Sequence, residues 1–500
     1  MGWRMRDRFR GGAPWSVCAV ALVSFATLSR SNGMLPSFPP DQLNVAVLVS
    51  GLMYIPIALL ARMAPTVIAH RAIGAVAAAC AISGALAWEA MPADVGAAGG
   101  YLVTDALFNV GRAWATILAI LSLGASDDGG MVGRACLGVG ISYMVCLALA
   151  PLMDGSGAWL CCAAVLTLLV GGSRKADALF KRVREMPSTQ ELEVTNPFSF
   201  IPLVSRLYLC ILLFEATFGY ATVTQIRIND AATMPLVGVA LFVLAALSAI
   251  TRSSSGSSAS RRFDEDALFT ICILAVMLGF LLAPTTGWLD AFSLFSLTVG
   301  SQAFYALMLC VLAVAGARNP IGAILCAAMG SGVSTCSSSI GGMISSWVVD
   351  HGTSVDSSIF VTAIFAFVLL AYVLIVMRNY GFARQFSEIA PIDDARCGNS
   401  AAATHVVAHS PMAGCPTAVF SASDGIDACL DLFVREYGLT PREREIAALL
   451  ARGRNGAFIQ NSLVISRNTA KTHIRHIYGK LQVHSQQELI DLFEGRRGVR

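Results

Sequence analysis

The chain has 500 residues, of which 55% are hydrophobic and only 13% are charged, and its mean hydropathy is +0.65. Soluble domains are about one quarter charged, so this composition excludes an ordinary soluble protein and indicates a membrane protein. The formal net charge of +3 averages unlike regions, because residues 437–500 carry a net +6 and residues 385–436 carry a net −5.

Apolar runs of roughly 20 residues, the length that crosses a bilayer as a helix, recur through the first three quarters of the chain. The first run follows four arginines, but no small-residue cleavage pattern comes after it, so we interpret it as an uncleaved span. The sequence predicts twelve spans, at residues 14–30, 43–63, 72–90, 99–123, 135–153, 156–172, 200–221, 232–250, 267–284, 288–315, 320–347 and 357–379.

The charges between the spans predict the orientation of the chain. If the N-terminus is cytoplasmic, the inside loops carry eighteen Lys and Arg residues, whereas the outside loops carry only Arg30 and Arg227. Positive residues favour the cytoplasmic side, and the bias holds at every loop. An even number of spans then returns the C-terminus to the cytoplasm. We therefore predict a multi-pass protein of the bacterial inner membrane with both termini in the cytoplasm.

Span four carries a polar stripe. Asp105, Asn109, Arg112 and Thr116 are spaced by four, three and four residues, which places them on one face of a helix. Ionisable groups in hydrocarbon are costly, so they should face the bundle interior and pair where they can. Glu215 in span seven is the expected partner of Arg112 from the other half of the chain. Two interpretations stay open, because these residues either line a cavity for a small molecule or form a structural charge network.

The longest inside loop, Ser173–Ser199, divides the spans into two sets of six and is expected to be partly helical around Ala176–Met186. Twelve spans in two halves with a central cytoplasmic loop resemble the major facilitator superfamily of transporters. This resemblance implies a bundle of two six-helix halves and raises transport as an activity. The loop at residues 61–71 lacks the acidic residue and the first glycine of that family's signature, so the resemblance rests on architecture.

Span eleven is rich in small residues between Gly330 and Gly342, which predicts close packing against a neighbouring helix. Most of the fourteen cysteines lie inside apolar runs, where thiols behave as small hydrophobic side chains. No nucleotide-binding loop, metal-ligand spacing or catalytic triad is visible in the sequence. We therefore predict no cofactor, no metal site and no enzymatic activity.

Composition divides the chain into three parts. Residues 1–384 form the membrane domain, residues 385–430 a flexible acidic linker, and residues 431–500 a basic terminal domain. A short amphipathic stretch, Ile426–Tyr437, leads into the terminal domain. The predicted fold class is all-α, with a twelve-helix membrane bundle followed by a four-helix domain.

Helix caps are dense in the terminal domain. Thr440-Pro-Arg-Glu443 is a capping box with proline at the first helical position, and Gly453 is placed to end that helix. A second short helix follows, Ser466 caps a third, and Ser485-Gln-Gln-Glu488 is a further capping box that opens a fourth. Four short helices with a tight turn between the second and third describe a helix-turn-helix unit. The inner stripe of the third helix is Ala470, Ile474, Ile477 and Leu481.

The outer face of the third helix is basic and polar. Lys and Arg can donate to guanine O6 and N7, and Asn and Thr can hydrogen-bond to base edges or phosphates. With the net charge of +6, this face predicts binding to double-stranded DNA rather than a merely solvated surface. The predicted DNA-binding residues are Arg467, Asn468, Thr469, Lys471, Thr472 and Arg475.

A further set of residues falls in register with one known pattern: Leu439-Thr-Pro-Arg-Glu-Arg-Glu445, Ile465-Ser466, Thr469, Lys471-Thr-His473, Ile477-Tyr478, Lys480-Leu481, Val483, Ser485 and Glu488-Leu489. At these residues the chain resembles the LuxR family of helix-turn-helix domains. The resemblance implies base contacts by Lys471, Thr472 and Arg475, and dimerisation through residues 487–493. The departures from the family pattern are Phe458, Gln460, Val464 and Ala470.

The leading hypothesis is a membrane-embedded one-component transcription regulator. Its bundle would bind a small molecule, and occupancy would alter how two DNA-binding domains pair on DNA. The alternative is a transporter with an attached regulatory DNA-binding domain, and an enzyme within the membrane has no residue set in its favour. The expected partners are double-stranded DNA, the lipid bilayer, an unidentified small molecule and a second copy of the chain.

Overall fold

The computed structural model of the chain describes residues 12–31, 40–90, 98–124, 130–153, 157–185, 194–195, 205–224, 233–253, 265–283, 288–351, 355–378 and 422–497. All regular secondary structure within these residues is helical, which confirms the predicted all-α class. Most of the predicted linker, residues 385–421, lies outside the described residues.

Each of the twelve predicted spans coincides with helix in the described part of the chain. The second span is divided into two helices at Met53, and a short helix follows it. The helices are α1 (Gly12–Ser31), α2 (Pro40–Leu52), α3 (Tyr54–Met63), α4 (Pro65–Ile68), α5 (Arg71–Glu89), α6 (Ala98–Gly124), α7 (Met131–Met153), α8 (Gly157–Glu185), α9 (Arg206–Thr224), α10 (Met234–Ser253), α11 (Glu265–Leu282), α12 (Trp288–Arg318), α13 (Pro320–His351) and α14 (Val355–Ile375).

Among the described residues, eight helices are long and apolar enough to cross a membrane, and three further apolar helices are shorter. One hydrophobic core runs through the bundle from α1 to α14. Large apolar side chains such as Leu281, Phe367 and Ile375 are nevertheless exposed on its outside. A soluble protein avoids so many exposed apolar side chains, whereas a lipid-facing surface requires them.

Glycines bring α9 and α13 into close contact. A Cβ atom on Gly219 would collide with the backbone of Ser338, and one on Gly341 would collide with the backbone of Ala216. Only glycine permits two helix backbones to approach in this way. The tight packing predicted for span eleven is therefore confirmed.

Helix α8 continues beyond its span through residue 185, which confirms the helix expected in the central loop. This extension is anchored to the bundle at two points. Arg71 and Asp177 form a salt bridge at 3.0 Å, and Arg184 Nη1 donates to the carbonyl oxygen of Ala69 at 2.7 Å.

The C-terminal part of the chain folds around a second hydrophobic core. Its helices are α15 (Ala422–Tyr437), α16 (Pro441–Ala451), α17 (Gly456–Leu463), α18 (Arg467–Leu481) and α19 (Gln486–Arg497). Helices α16 to α19 correspond to the four short helices that the sequence predicts.

Candidate DNA-binding surface and intramembrane polar cluster

The start of α16 is fixed by the predicted capping box. The Thr440 hydroxyl accepts the Glu443 N–H at 3.3 Å, and Glu443 Oε2 accepts the Thr440 N–H at 2.8 Å. Lys480 Nζ, near the end of α18, donates to the same Glu443 oxygen at 2.7 Å and to the carbonyl oxygen of Gly438 at 2.8 Å. Glu443 therefore joins the first helix of the domain to the helix that carries the predicted DNA-binding residues.

The Glu443 side chain is charged although it is only 4% exposed. Burial by itself raises the pKa of a carboxyl group. Hydrogen bonds from Lys480 and Thr440, together with the positive charge of Lys480, outweigh burial and hold the pKa of Glu443 below its ordinary value. The ionised carboxylate is therefore the form that stabilises the domain.

The turn between α17 and α18 contains a strained residue. Val464 has φ +50° and ψ +52°, in the left-handed region that β-branched residues rarely adopt, and it is 90% exposed. The end of α16 shows the relaxed counterpart, because Gly453, with φ +71°, ends that helix as predicted. A glycine at position 464 would therefore suit the backbone that the structure shows.

The other departures from the family pattern are accommodated. Phe458 is partly exposed, and the guanidinium carbon of Arg454 lies 4.9 Å from the centre of its ring. Gln460 Nε2 donates to the carbonyl oxygen of Gly456 at 3.0 Å, within its own helix. Ala470 is fully buried in the core. These substitutions leave the helix-turn-helix geometry intact.

Helix α18 has a buried inner face and an exposed outer face. Its start is capped as predicted, because the Ser466 hydroxyl accepts the Thr469 N–H at 3.1 Å. The inner face includes all four residues of the predicted apolar stripe and also Tyr478. The sequence pattern therefore assigned the two faces of this helix correctly.

The six predicted DNA-binding residues lie on the first nine residues of α18. Asn468, Thr469, Thr472 and Arg475 are exposed, while Arg467 and Lys471 are half-buried at the edges of this face. The Thr472 hydroxyl donates to the carbonyl oxygen of Asn468 at 2.9 Å. Over nine residues the face extends about 12 Å along the helix axis, which fits within a major groove.

Two further residues lie on the same exposed side of α18 and were missed in the sequence. His476 is exposed, and Gly479 has no atom within 4 Å of the position of an added Cβ. Helical spacing from Thr472 was the available indication for both. The exposed side that carries the predicted DNA-binding residues therefore continues towards the C-terminal end of α18.

Helix α19 begins with a modified form of the predicted capping box. The Ser485 hydroxyl accepts the Glu488 N–H at 3.2 Å, but the Glu488 carboxylate accepts the N–H of His484, at 2.8 Å, rather than that of Ser485. Gln486 Nε2 donates to the carbonyl oxygens of Leu450 and Arg454 and so ties α19 to the end of α16.

Helix α15 packs into the core of the terminal domain. Leu430 and Phe433 are fully buried, and the Phe433 ring packs edge-to-face on Phe493 with the ring centres 4.7 Å apart. Arg444 of α16 also bonds Asp431 at 2.8 Å. The helix crosses the predicted boundary at residue 430, and the amphipathic pattern of residues 426–437 was the local indication of it.

In the membrane bundle, the predicted polar residues are buried. Asp105, Asn109, Arg112 and Thr116 of α6 and Glu215 of α9 are all less than a tenth exposed. They therefore face the protein interior and not lipid, as the spacing of the stripe implies.

The intramembrane residues have other partners than the sequence suggests. Arg112 Nε donates to Asn109 Oδ1 at 2.6 Å, and Arg112 Nη1 lies 3.5 Å from the hydroxyl of Thr27 in α1. Glu215 is hydrogen-bonded to Ser334 of α13. The expected direct pair between Arg112 and Glu215 is not formed, since each side chain has a closer polar partner.

One serine hydroxyl near this cluster, that of Ser331 in α13, is nearly fully buried and has no hydrogen-bond partner among the described residues. Ser331 precedes Ser334, the partner of Glu215, by three residues, so the two serines share a helix face. Buried hydroxyls normally have a partner, so Ser331 is an exception in this part of the bundle.

No group of three His, Cys, Asp or Glu side chains that could hold a metal ion occurs within the described ranges. The cysteines described inside the bundle are free, and most of them are buried.

The sequence profile of the luxR family of bacterial regulatory proteins (GerE) matches residues 438–493. The chain is 46% identical over 55 residues to the putative HTH-type transcriptional regulator in exeN 3'region of Aeromonas salmonicida, covering 11% of this chain and 28% of that protein. It is 50% identical over 52 residues to the uncharacterized response regulatory protein YgeK of Escherichia coli (strain K12), covering 10% and 35%. The chain thus spans about a third or less of these relatives. The terminal domain is a luxR-family helix-turn-helix domain, which confirms the predicted resemblance.

Solved structures similar to this chain include major facilitator superfamily transporters. One is the proton:xylose symporter XylE bound to 6-bromo-6-deoxy-D-glucose, with a TM-score of 0.48 and 12% sequence identity. The similarity covers 73% of this chain and 95% of that one.

Proposed function

We propose that this protein is a membrane-embedded one-component transcription regulator. Its luxR-family domain binds promoter DNA, and its bundle binds a small molecule that controls this activity. The observation that carries the proposal is the presence of a luxR-family domain, residues 438–493, in one chain with a bundle of apolar helices. A regulator built in this way needs no separate sensor protein.

We assign the bundle to the bacterial inner membrane, with both termini in the cytoplasm. The support for this orientation is the excess of Lys and Arg in alternate loops, eighteen against two. It places the terminal domain in the compartment that contains DNA. A reporter fused after Arg384 should therefore score as cytoplasmic, and a periplasmic result would overturn both the topology and the regulatory function.

The outer face of α18 is the proposed recognition surface. Arg475 is exposed and Lys471 is half-buried at its edge, so both are placed to donate to base edges, while Asn468 and Thr472 are placed for bases or phosphates. Arg467 and Thr469, at the N-terminus of the helix, are suited to phosphate contacts because the helix dipole favours an anion there.

Dimerisation is assigned to α19. Ile490 and Leu492 are apolar and only half-buried in the single chain, so they offer apolar surface to a second copy. Two linked domains gain effective concentration for neighbouring half-sites on DNA.

The first experiment measures DNA binding by the full-length protein in lipid nanodiscs. A duplex selected from a random pool serves as the probe, and fluorescence anisotropy is followed at several salt concentrations. Lys471→Ala and Arg475→Ala should each weaken binding by about 1–3 kcal/mol if these residues read bases. Arg435→Ala is the matched control, because it removes the same charge from an exposed position on α15.

The control variant distinguishes sequence-specific recognition of DNA from sequence-independent electrostatic attraction to it. If Arg435→Ala weakens binding as much as Arg475→Ala does, the interaction is sequence-independent electrostatics and the recognition surface is wrong. Affinity should also fall with salt for the wild-type protein.

The second experiment tests the sensor assignment. Thermal unfolding of the full-length protein across a metabolite panel identifies stabilising compounds, and Asp105→Asn and Arg112→Gln should abolish the stabilisation. Uptake of the same compound into proteoliposomes then separates the two functions. Binding without uptake supports a sensor, whereas uptake that Arg112→Gln abolishes supports a transporter with an attached regulatory domain.

A further inference from the structure

Two residues of the central cytoplasmic loop lie against the DNA-binding domain. Val194 has no exposed surface, and it belongs to the same apolar cluster as the core residues of α15 to α19. Thr195 is also buried. A residue that connects the two halves of the membrane bundle therefore completes the core of a domain that begins more than 200 residues later.

A hydrogen bond fixes this contact. The Tyr478 hydroxyl donates to the carbonyl oxygen of Thr195 at 2.7 Å, and both groups are buried. Burial raises the pKa of Tyr478 well above its ordinary value, so the hydroxyl keeps its proton and remains a donor. A buried tyrosine hydroxyl needs a partner, and here the central loop provides one.

The loop is connected to the bundle through the end of α8. Val194 follows Glu185, the last residue of α8, by nine residues, so the chain between them spans about 30 Å at most. The end of α8 is held to the α4–α5 region by Arg184 and Asp177. Phe180 of the same extension stacks on Trp114 of α6, the helix that carries the intramembrane polar stripe.

The contact falls on α18, the recognition helix, which carries the proposed recognition surface. Tyr478 follows Lys471 by seven residues, which is two helical turns, so it lies at the edge of the buried face that adjoins Lys471, about 10 Å away along the axis of α18. The loop therefore touches the flank of the helix proposed to enter the major groove.

We propose that the surface around Tyr478 is a docking site for residues 194–195 of the same chain, and that the docked loop restrains the recognition helix against the membrane bundle. Release of the loop would free the domain to approach DNA. The docking itself is independent of the proposed DNA binding, whereas its regulatory consequence rests on that function.

Hydrogen exchange of the full-length protein in nanodiscs, read by mass spectrometry, tests the docking. Val194→Asp places a charge in the apolar site, and it should speed exchange at residues 194–195 at least tenfold after correction for sequence. Val194→Ile is the matched control and should keep the wild-type rate. Equal exchange in the wild type and Val194→Asp would overturn the proposal.

Tyr478→Phe provides a second variant, since it keeps the ring in the core and removes only the donor. It should speed exchange at residues 194–195 several-fold while exchange in α16 stays slow. If exchange at residues 194–195 is unchanged, the hydrogen bond does not hold the loop and the proposed site is wrong.

Binding of the selected duplex tests the restraint. Val194→Asp should bind at least threefold more tightly than the wild type, and Val194→Ile should match it. Equal or weaker binding by Val194→Asp would overturn the restraint. If no form of the protein binds DNA, the proposed function fails, and the docking is still judged by the exchange data.

Discussion

The membrane bundle and the terminal domain satisfy their polar groups in different ways. In the bundle, hydroxyls such as those of Thr116 and Thr298 donate back to the carbonyl four residues earlier, so each finds a partner within its own helix. In the terminal domain, Thr440, Ser466 and Ser485 accept hydrogen bonds at helix starts and so define where the helices begin. Hydroxyls bonded within a helix can stand at many positions of the bundle. Helix caps, in contrast, require particular residues at particular spacings.

This difference explains why the sequence identifies the family of the terminal domain more specifically than it identifies that of the bundle. The caps and turns of the terminal domain form a dense motif, and a family profile matches it. The bundle needs apolar length and small residues at contacts, which many sequences provide.

The largest expected effect tests whether the terminal domain is a separate unit that includes α15. Phe433→Ala should destabilise this domain by about 3–5 kcal/mol, because it removes a fully buried ring that packs on Phe493. The bundle should be unaffected. All seven tryptophans precede residue 385, so tryptophan fluorescence follows the bundle while hydrogen exchange of α16–α19 follows the domain.

Leu432→Ala is the control, since that side chain is about half exposed. If Phe433→Ala also lowers the unfolding temperature reported by tryptophan fluorescence, the two regions unfold as one unit and the contrast between them fails.

Sequence reasoning succeeded where the determinants are local. Each of the twelve spans predicted from hydropathy coincides with helix in the described residues, and helical spacing placed Asp105 and Arg112 in the interior. It missed what depends on distant parts of the chain. The contact of Val194 with the core around Tyr478 joins residues about 280 positions apart, and no local pattern records it. The partners of Arg112 likewise depend on how α1 and α6 pack.

The next prediction concerns the charged hydrogen bonds of Glu443, which have no counterpart among the backbone-bonded hydroxyls of the bundle. Glu443→Gln should cost the terminal domain about 1.5–3 kcal/mol, because it weakens bonds to a charged partner. Since folding lowers the pKa of this carboxyl, its stabilisation is present above the ordinary value of 4.5 and is lost as the pH falls through the lower folded value.

Unfolding of the domain followed by hydrogen exchange between neutral and acidic pH checks this dependence. The wild type should lose stability in acid more steeply than Glu443→Gln. Glu445→Gln is the control, because that carboxylate is half exposed in a surface pair with Arg442. Equal acid sensitivity of the wild type and Glu443→Gln would contradict the prediction.

The corresponding test of stability in the bundle is a substitution of a glycine at a contact between two helices. Gly341→Ala should destabilise the bundle by about 1–3 kcal/mol, because the added methyl group meets the backbone of Ala216, which cannot move aside like a side chain. Gly74→Ala is the control, since its nearest neighbour is the flexible hydroxyl of Ser173. Thermal unfolding followed by tryptophan fluorescence gives both values, and a fully tolerated Gly341→Ala would show that α9 and α13 are less tightly packed.

The smallest expected effect has the opposite sign and concerns the turn of the DNA-binding unit. Val464→Gly should stabilise the terminal domain by about 1 kcal/mol, because glycine adopts φ +50° without the penalty of a branched side chain, although its greater freedom in the unfolded chain offsets part of the gain. The valine side chain is almost fully exposed, so no packing is lost.

Gln482→Gly, at φ +56° after α18, is the matched comparison. It should gain less stability, since the glutamine side chain is unbranched at Cβ. A loss of stability in Val464→Gly, measured by hydrogen exchange of α16–α19, would mean that the exposed valine makes a contact in the full-length protein.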